Sequence, residues 1–127
     1  MRLLIDTHVA LWWWRTSALL SVAARQAIAG AAQVHVSAVT GYEIANKYRI
    51  GKLDMIGDPA SEVPKLMAEH DFLTLPVTDE HALAAGLLPG EHRDPFDRII
   101  AAQALAENMI LVTRDPVFAG FGCRVLW

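Results

Sequence analysis

Five short apolar runs limit what this chain can fold into more than any other feature. They are Arg2–Ile5, Val34-His35-Val36, Phe72–Leu75, Met109–Val112 and Arg124-Val125-Leu126. Each is strand-length and too short for a helix, and Val34-His35-Val36 alternates between β-branched residues and a polar one. Between them lie segments with helical spacing: Ser21–Ala29 followed by Gly30, Val39–Ile50 ending at Gly51, Ala60–His70, Asp79–Leu87 and the Ala-rich Pro95–Glu107 that stops near Asn108. Pro64 is compatible with the third of these if it stands in the helix's first turn. Strands separated by helices call for βαβ units, which require a parallel sheet with helices on both faces. The expected class is α/β, with a central, mainly parallel sheet. In such sheets ligands gather beyond the carboxyl ends of the strands. The residues directly after each apolar run are therefore the ones to inspect.

The length of 127 residues suits one domain spanning 1–127, and the 54% apolar content is enough for a true core. Cys123 is the only cysteine, which excludes an internal disulfide and a thiolate zinc site and points to a reducing compartment, the cytoplasm. Asp6 follows too soon after Arg2 for a signal peptide, and the longest apolar run, Val9 to Trp14, is too short to cross a membrane. The net charge of −3 is wrong for a protein that grips nucleic acid by bulk electrostatics. If the chain handles RNA, a divalent cation held by carboxylates would reverse the sign locally.

Acids stand where the sheet rule says to look, except that the helix opened by Asp94 and Asp97 reaches the same edge only if it runs antiparallel to its neighbours there. Asp6 ends the first run, Glu43 lies early in the helix after the second, Asp94 and Asp97 open the Ala-rich helix, and Asp115 follows the fourth run two residues after Thr113. Each has a plain structural explanation. Asp94-Pro95-Phe96-Asp97 reads as N-cap, N1 proline and an acid near the positive helix end, and for Asp94 capping is the preferred explanation. Asp115-Pro116 suits a capped turn, and Glu43 can pair with Lys47 at i+4. Asp6 is harder to dismiss, because an acid closing a buried strand needs a partner. Taken together, several carboxylates crowded at one edge would repel and take up protons unless a hard cation joined them. In phosphodiester cleavage such a cation activates a water and offsets charge on the phosphate oxygens.

In this order, Leu4-Ile5-Asp6-Thr7-His8, Ser37-Ala38 leading to Glu43, Asp94-Pro95-Phe96-Asp97-Arg98 with Ala101-Ala102-Gln103-Ala104, and Leu111-Val112-Thr113-Arg114-Asp115 resemble the PIN-domain family, in particular the VapC-type toxins of toxin–antitoxin pairs. The resemblance covers nearly the whole chain. It implies a Rossmann-like three-layer sandwich and a Mg²⁺- or Mn²⁺-dependent endoribonuclease, often a homodimer, restrained by a cognate antitoxin. It further implies that Asp6, Glu43 and Asp97 are the core catalytic acids and metal ligands, with Asp115 as a fourth. On this scheme Asp6 and Asp97 bind metal directly, while Glu43 and Asp115 bind through water or complete a second site. Thr7 and Thr113 are expected to support the acids by hydrogen bonds.

Other groups are less decided. Arg98 and Arg114 each adjoin an acid and are read as salt-bridge partners at least as readily as phosphate contacts. Lys47, Arg49 and Lys52 read as a solvated helix face. His8 and His92 flank the acids without the i, i+4 pairing of a zinc helix and are read as structural or substrate-facing. For Trp12-Trp13-Trp14, core packing or a partner interface is preferred to base stacking, with Tyr42, Ile44, Tyr48 and Ile50 joining that surface. A receiver-like phosphoacceptor fits poorly, because Asp6 has no acidic neighbour and Thr113-Arg114 stands where a lysine is wanted. A haloacid-dehalogenase-like phosphatase would need an aspartate at position 8. A catalytically silent interaction module with the same fold is the alternative function.

Overall fold

A computed structural model of the chain describes residues 1–54 and 57–127. Five strands form one all-parallel sheet in the order β3-β2-β1-β4-β5. They are β1 (Arg2–Ile5), β2 (Gln33–Ser37), β3 (Phe72–Leu75), β4 (Ile110–Val112) and β5 (Val125–Leu126). The helices are α1 (Thr7–Trp14), α2 (Val22–Gly30), α3 (Ala38–Arg49), α4 (Pro59–Glu69), α5 (Asp79–Leu87), α6 (Pro95–Ala106) and the single turn α7 (Val117–Gly120). The α/β class and the parallel sheet inferred from the sequence are what the fold has.

Strand alternation divides the core into two layers, since successive side chains point to opposite faces. Leu3, Ile5, Val34, Val36, Phe72 and Val112 pack on one face against Val9 and Ala10 of α1 and Ala24 and Ile28 of α2. Leu4, Leu75 and Leu111 pack on the other against Ile100, Ala101 and Ala104 of α6, with Met109 and Phe118. The central strand β1 pairs with both β2 and β4, with Ile5 level with Val36 and Val112. Its last residue therefore opens into the middle of the carboxyl edge.

One run gains an assignment and two expectations need correcting. Val9–Trp14 is not an unassigned apolar run but most of helix α1, started by Asp6, whose side chain accepts from the Val9 amide at 2.9 Å. The segment lacks a polar face, so helical periodicity could not mark it. Pro64 lies inside α4 and not in its first turn; that place belongs to Pro59, after the N-cap Asp58. Ile44 is fully buried and so is no part of a surface shared with the exposed Tyr42, Tyr48 and Ile50. The end of α6 behaves as its asparagine suggests. Asn108 takes φ 54°, and the amides of Asn108 and Met109 donate back to the carbonyls of Leu105 (3.4 Å) and Ala104 (3.0 Å). This left-handed closure turns the chain directly into β4.

Candidate metal centre

The site grows from the carboxyl end of β1. Asp6 leaves the strand as the α1 N-cap, so its carboxylate is fixed where β1 and β4 end side by side. Its Oδ1 accepts from the Val9 amide, and its Oδ2 accepts from the Thr113 hydroxyl at 2.5 Å. Thr113 in turn accepts from the Asp115 amide at 3.0 Å, which ties Asp115 to the same edge. Burial pushes the Asp6 carboxyl above the ordinary carboxylate range. The hydrogen bonds from Thr113 and Val9 and the nearby His8 work against that rise, and the charge of Asp115 adds to it.

Glu43 arrives from α3. Its Oε1 accepts from the Thr7 hydroxyl at 2.7 Å and its Oε2 from Lys47 Nζ at 2.9 Å. Thr7 spends its only hydrogen on Glu43, so in the 2.9 Å contact between the two hydroxyls Thr40 must be the donor. Thr40 is fully buried. It was not singled out in the sequence, although its place three residues before Glu43 puts both on one helix face.

Asp97 comes from the first turn of α6, and its Oδ2 is 2.8 Å from His92 Nε2. Burial is again the main reason its carboxyl is raised. The His92 hydrogen bond opposes the rise, while the charges of Asp94 and Asp115 reinforce it. Asp97 and Asp6 thus both feel Asp115, although they belong to different elements. Asp94 does what a cap does: its Oδ1 accepts from the amides of Phe96 (2.9 Å) and Asp97 (3.1 Å).

Arg98 makes no salt bridge among the described residues, against one of its two readings; it donates to the carbonyls of Ala85 (3.0 Å), His92 (2.9 Å) and Leu88. It clasps the end of α5 and the connection that carries His92 to Asp97. Arg114 forms no salt bridge among the described residues either; its guanidinium lies over the Trp12 ring, 4.8 Å from the centroid. Lys47 is not merely solvated, since it pairs with Glu43.

Among the described residues, no three His, Cys, Asp or Glu side chains already stand as a ligand set. The hydrogen bonds supply a reason, since Glu43 is held by Thr7 and Lys47, and Asp97 by His92. The donors are nonetheless of the right kind. Four carboxylates come from separate parts of the chain, two of them held above their ordinary pKa by burial. Carboxylate oxygens suit a hard cation such as Mg²⁺ or Mn²⁺. A cleft of about 250 Å³ opens beside Asp6 and Asp115.

This geometry has relatives. The sequence matches the PIN domain family over residues 3–122. It is 36% identical over 113 residues to Ribonuclease VapC22 of Mycobacterium tuberculosis, covering 88% of this chain and 85% of that protein. The fold is similar to that of VapBC2 from Rickettsia felis bound to a promoter DNA fragment, with a TM-score of 0.70 at 15% identity, covering 99% of this chain and 98% of that one. It is also similar to FitAcB from Neisseria gonorrhoeae, with a TM-score of 0.69 at 20% identity, covering 98% and 96% of the two chains.

Proposed function

This chain belongs to the PIN-domain family, and from that premise we propose that it is a divalent-cation-dependent endoribonuclease, the toxin of a toxin–antitoxin module. The observation that carries this reading is the pair of anchored acids at the carboxyl edge, Asp6 on Thr113 and Glu43 on Thr7, with Asp97 and Asp115 within electrostatic reach of the first pair's edge. The relative named as a ribonuclease supports the reaction class. Several structural neighbours described as toxin–antitoxin complexes support a protein antitoxin as partner.

Asp6, Glu43, Asp97 and Asp115 would hold Mg²⁺ or Mn²⁺. When bound, the cation supplies Lewis acidity, lowering the pKa of a water and offsetting charge on the phosphate oxygens. The remaining work belongs to the chain. Val9 and Thr113 fix both oxygens of Asp6, so its direction does not depend on side-chain entropy. Thr40 and Thr7 aim Glu43 from inside the core. His92 holds Asp97, and Arg98 holds the backbone of His92. Lys47 holds the other oxygen of Glu43 until a ligand competes for it.

The test is RNA cleavage by the purified full chain in Mg²⁺ or Mn²⁺, with and without EDTA. Cleavage that requires the cation and stops when antitoxin is added is the expected result. Cleavage that persists in EDTA overturns the metal assignment. The fact that the acids are all occupied by protein partners favours one second reading, a catalytically silent interaction module. Absence of cleavage under every cation, with the protein folded, would select it. A homodimer of the full chain completes the proposal, and its mass in solution is read directly by light scattering.

A further inference from the structure

The fold splits the tryptophan triplet. Trp13 and Trp14 turn toward Phe72, with ring centroids 6.3 and 6.2 Å away, and Trp13 Nε1 donates to His70 Nδ1 at 3.1 Å. These two are packing residues. Trp12 also packs against that core, but in addition it lines the 250 Å³ cleft together with Asp6, His8, Arg114, Asp115 and Pro116. Its ring is 5.7 Å from His8 and 5.8 Å from Trp127, and it carries the Arg114 guanidinium at 4.8 Å. One wall of the cleft is thus acidic and the other is flat, aromatic and cationic. The cleft has room for far more than one water.

Arg114 is exposed and takes part in none of the ion pairs found among the described residues, although Asp115 is its neighbour in sequence. A guanidinium lying on an indole keeps its outer face open to a further ring.

We infer that this cleft is a nucleobase subsite: one unpaired base beside the bound phosphate stacks on the Trp12–Arg114 pair, with His8 at the rim. That the ligand is RNA rests on the ribonuclease reading; the subsite itself rests on the cleft. Unstacked bases bind to aromatic rings and guanidinium planes with little regard to sequence, because every base has a π-face. A base inside a duplex cannot present that face, so the site selects single-stranded substrate. Stacking also gives this net-acidic chain affinity that does not depend on phosphate charge.

Two measurements test the subsite. The first uses adenosine, which is uncharged, with the ¹⁵N-labelled full chain in EDTA. The four indole N–H signals are followed, and that of Trp12 is identified by its loss in Trp12→Phe. The Trp12 signal should shift saturably while those of Trp13 and Trp14 stay; no movement at Trp12 overturns the subsite. The second uses a short single-stranded RNA in which each base in turn is removed, leaving the backbone intact. One position beside the cut should show a loss of cleavage rate of roughly 5- to 150-fold. That loss should vanish in Arg114→Ala, whose exposed side chain is not needed for folding, and in Trp12→Leu. A loss that is the same in wild type and Arg114→Ala overturns the subsite even if the enzyme cleaves. If no RNA is cleaved at all, the ribonuclease reading fails, and the adenosine titration still decides the subsite.

Discussion

Asp6 and His81 are both buried, both ionisable and both at helix starts, yet the protein treats them oppositely. His81 closes the capping box of α5: its Nδ1 accepts from the Thr78 amide at 3.1 Å, so its Nε2 carries the proton and meets Glu107 Oε1 at 2.9 Å. Every polar atom of that ring has a complementary partner, and the partner carboxylate is itself partly in water. Asp6 has the same kind of place but receives only neutral donors, an amide and a hydroxyl, and faces a second acid, Asp115. One arrangement is complete without a ligand. The other is a charge the chain buries without neutralising. An acid in the second position signals function more reliably than an acid that is merely buried.

Substitution at the two places should therefore have opposite consequences. Asp6→Asn keeps the shape and the Val9 hydrogen bond but removes the charge. RNA cleavage should fall by at least about a hundredfold, as loss of a group that orients or holds a metal does. The metal-free protein should melt no lower than wild type. His81→Ala should leave cleavage per folded molecule unchanged but lower stability by about 2–3 kcal/mol, from an orphaned Thr78 amide and a cavity. Equal loss of activity in the two variants would erase the distinction.

The next effect is thermodynamic. A cation that binds only the folded chain raises stability by about 2.7 kcal/mol at a hundred times its Kd. Thermal melts in Mn²⁺ and in EDTA should separate for wild type and for His81→Ala, and should coincide for a chain carrying Asp6→Asn and Asp97→Asn together. A separation that survives the double substitution would put the cation somewhere else.

Acid dependence is smaller and has a definite sign. The carboxyls of Asp6 and Asp97 are raised, chiefly by burial. Each therefore contributes stability that is fully present below the ordinary carboxylate pKa of 3.8 and is lost as pH rises through its higher folded-state pKa. In EDTA these two groups should make the protein lose stability over that interval, against the trend of ordinary paired carboxylates. Asp6→Asn should flatten the slope, and Mn²⁺ should flatten it in wild type. Urea midpoints measured across the interval would reveal a slope of the wrong sign.

Much of this could be read in the sequence, and what could not has a physical cause. The strands announced themselves because they are short, apolar and separated by capped helices, and Asp6 stood out because it follows a strand directly. Helix α1 was invisible because Val9–Trp14 has no polar face, and helical period is detectable only by contrast. The partners of the acids were mostly hidden. Thr7 reaches Glu43 across 36 positions, and Thr113 reaches Asp6 across 107. The threonines could be suspected from their neighbours, but no local pattern reveals that Arg98 will spend itself on three carbonyls or that Arg114 will lie on Trp12. Such pairings are set by how elements meet, which spacing along the chain does not encode.

The smallest effect tests whether the site's support reaches into the core. Thr40 is fully buried and hydrogen-bonds to no acid among the described residues, yet it must donate to Thr7, because Thr7 has already given its hydrogen to Glu43. Thr40→Val keeps the volume and removes that one hydroxyl. Thr7 would then be left with a lone pair unsatisfied and free to rotate away from Glu43. Stability should fall by about 1 kcal/mol. Cleavage should drop only a few-fold, with the Mn²⁺ concentration needed for half-maximal rate rising in step, because Glu43 is loosened but still present. If Thr40→Val lowers stability alone and the Mn²⁺ requirement is unmoved, Thr40 belongs with His81 as a purely structural group, and the boundary between the two kinds of buried polar residue runs between Thr7 and Thr40.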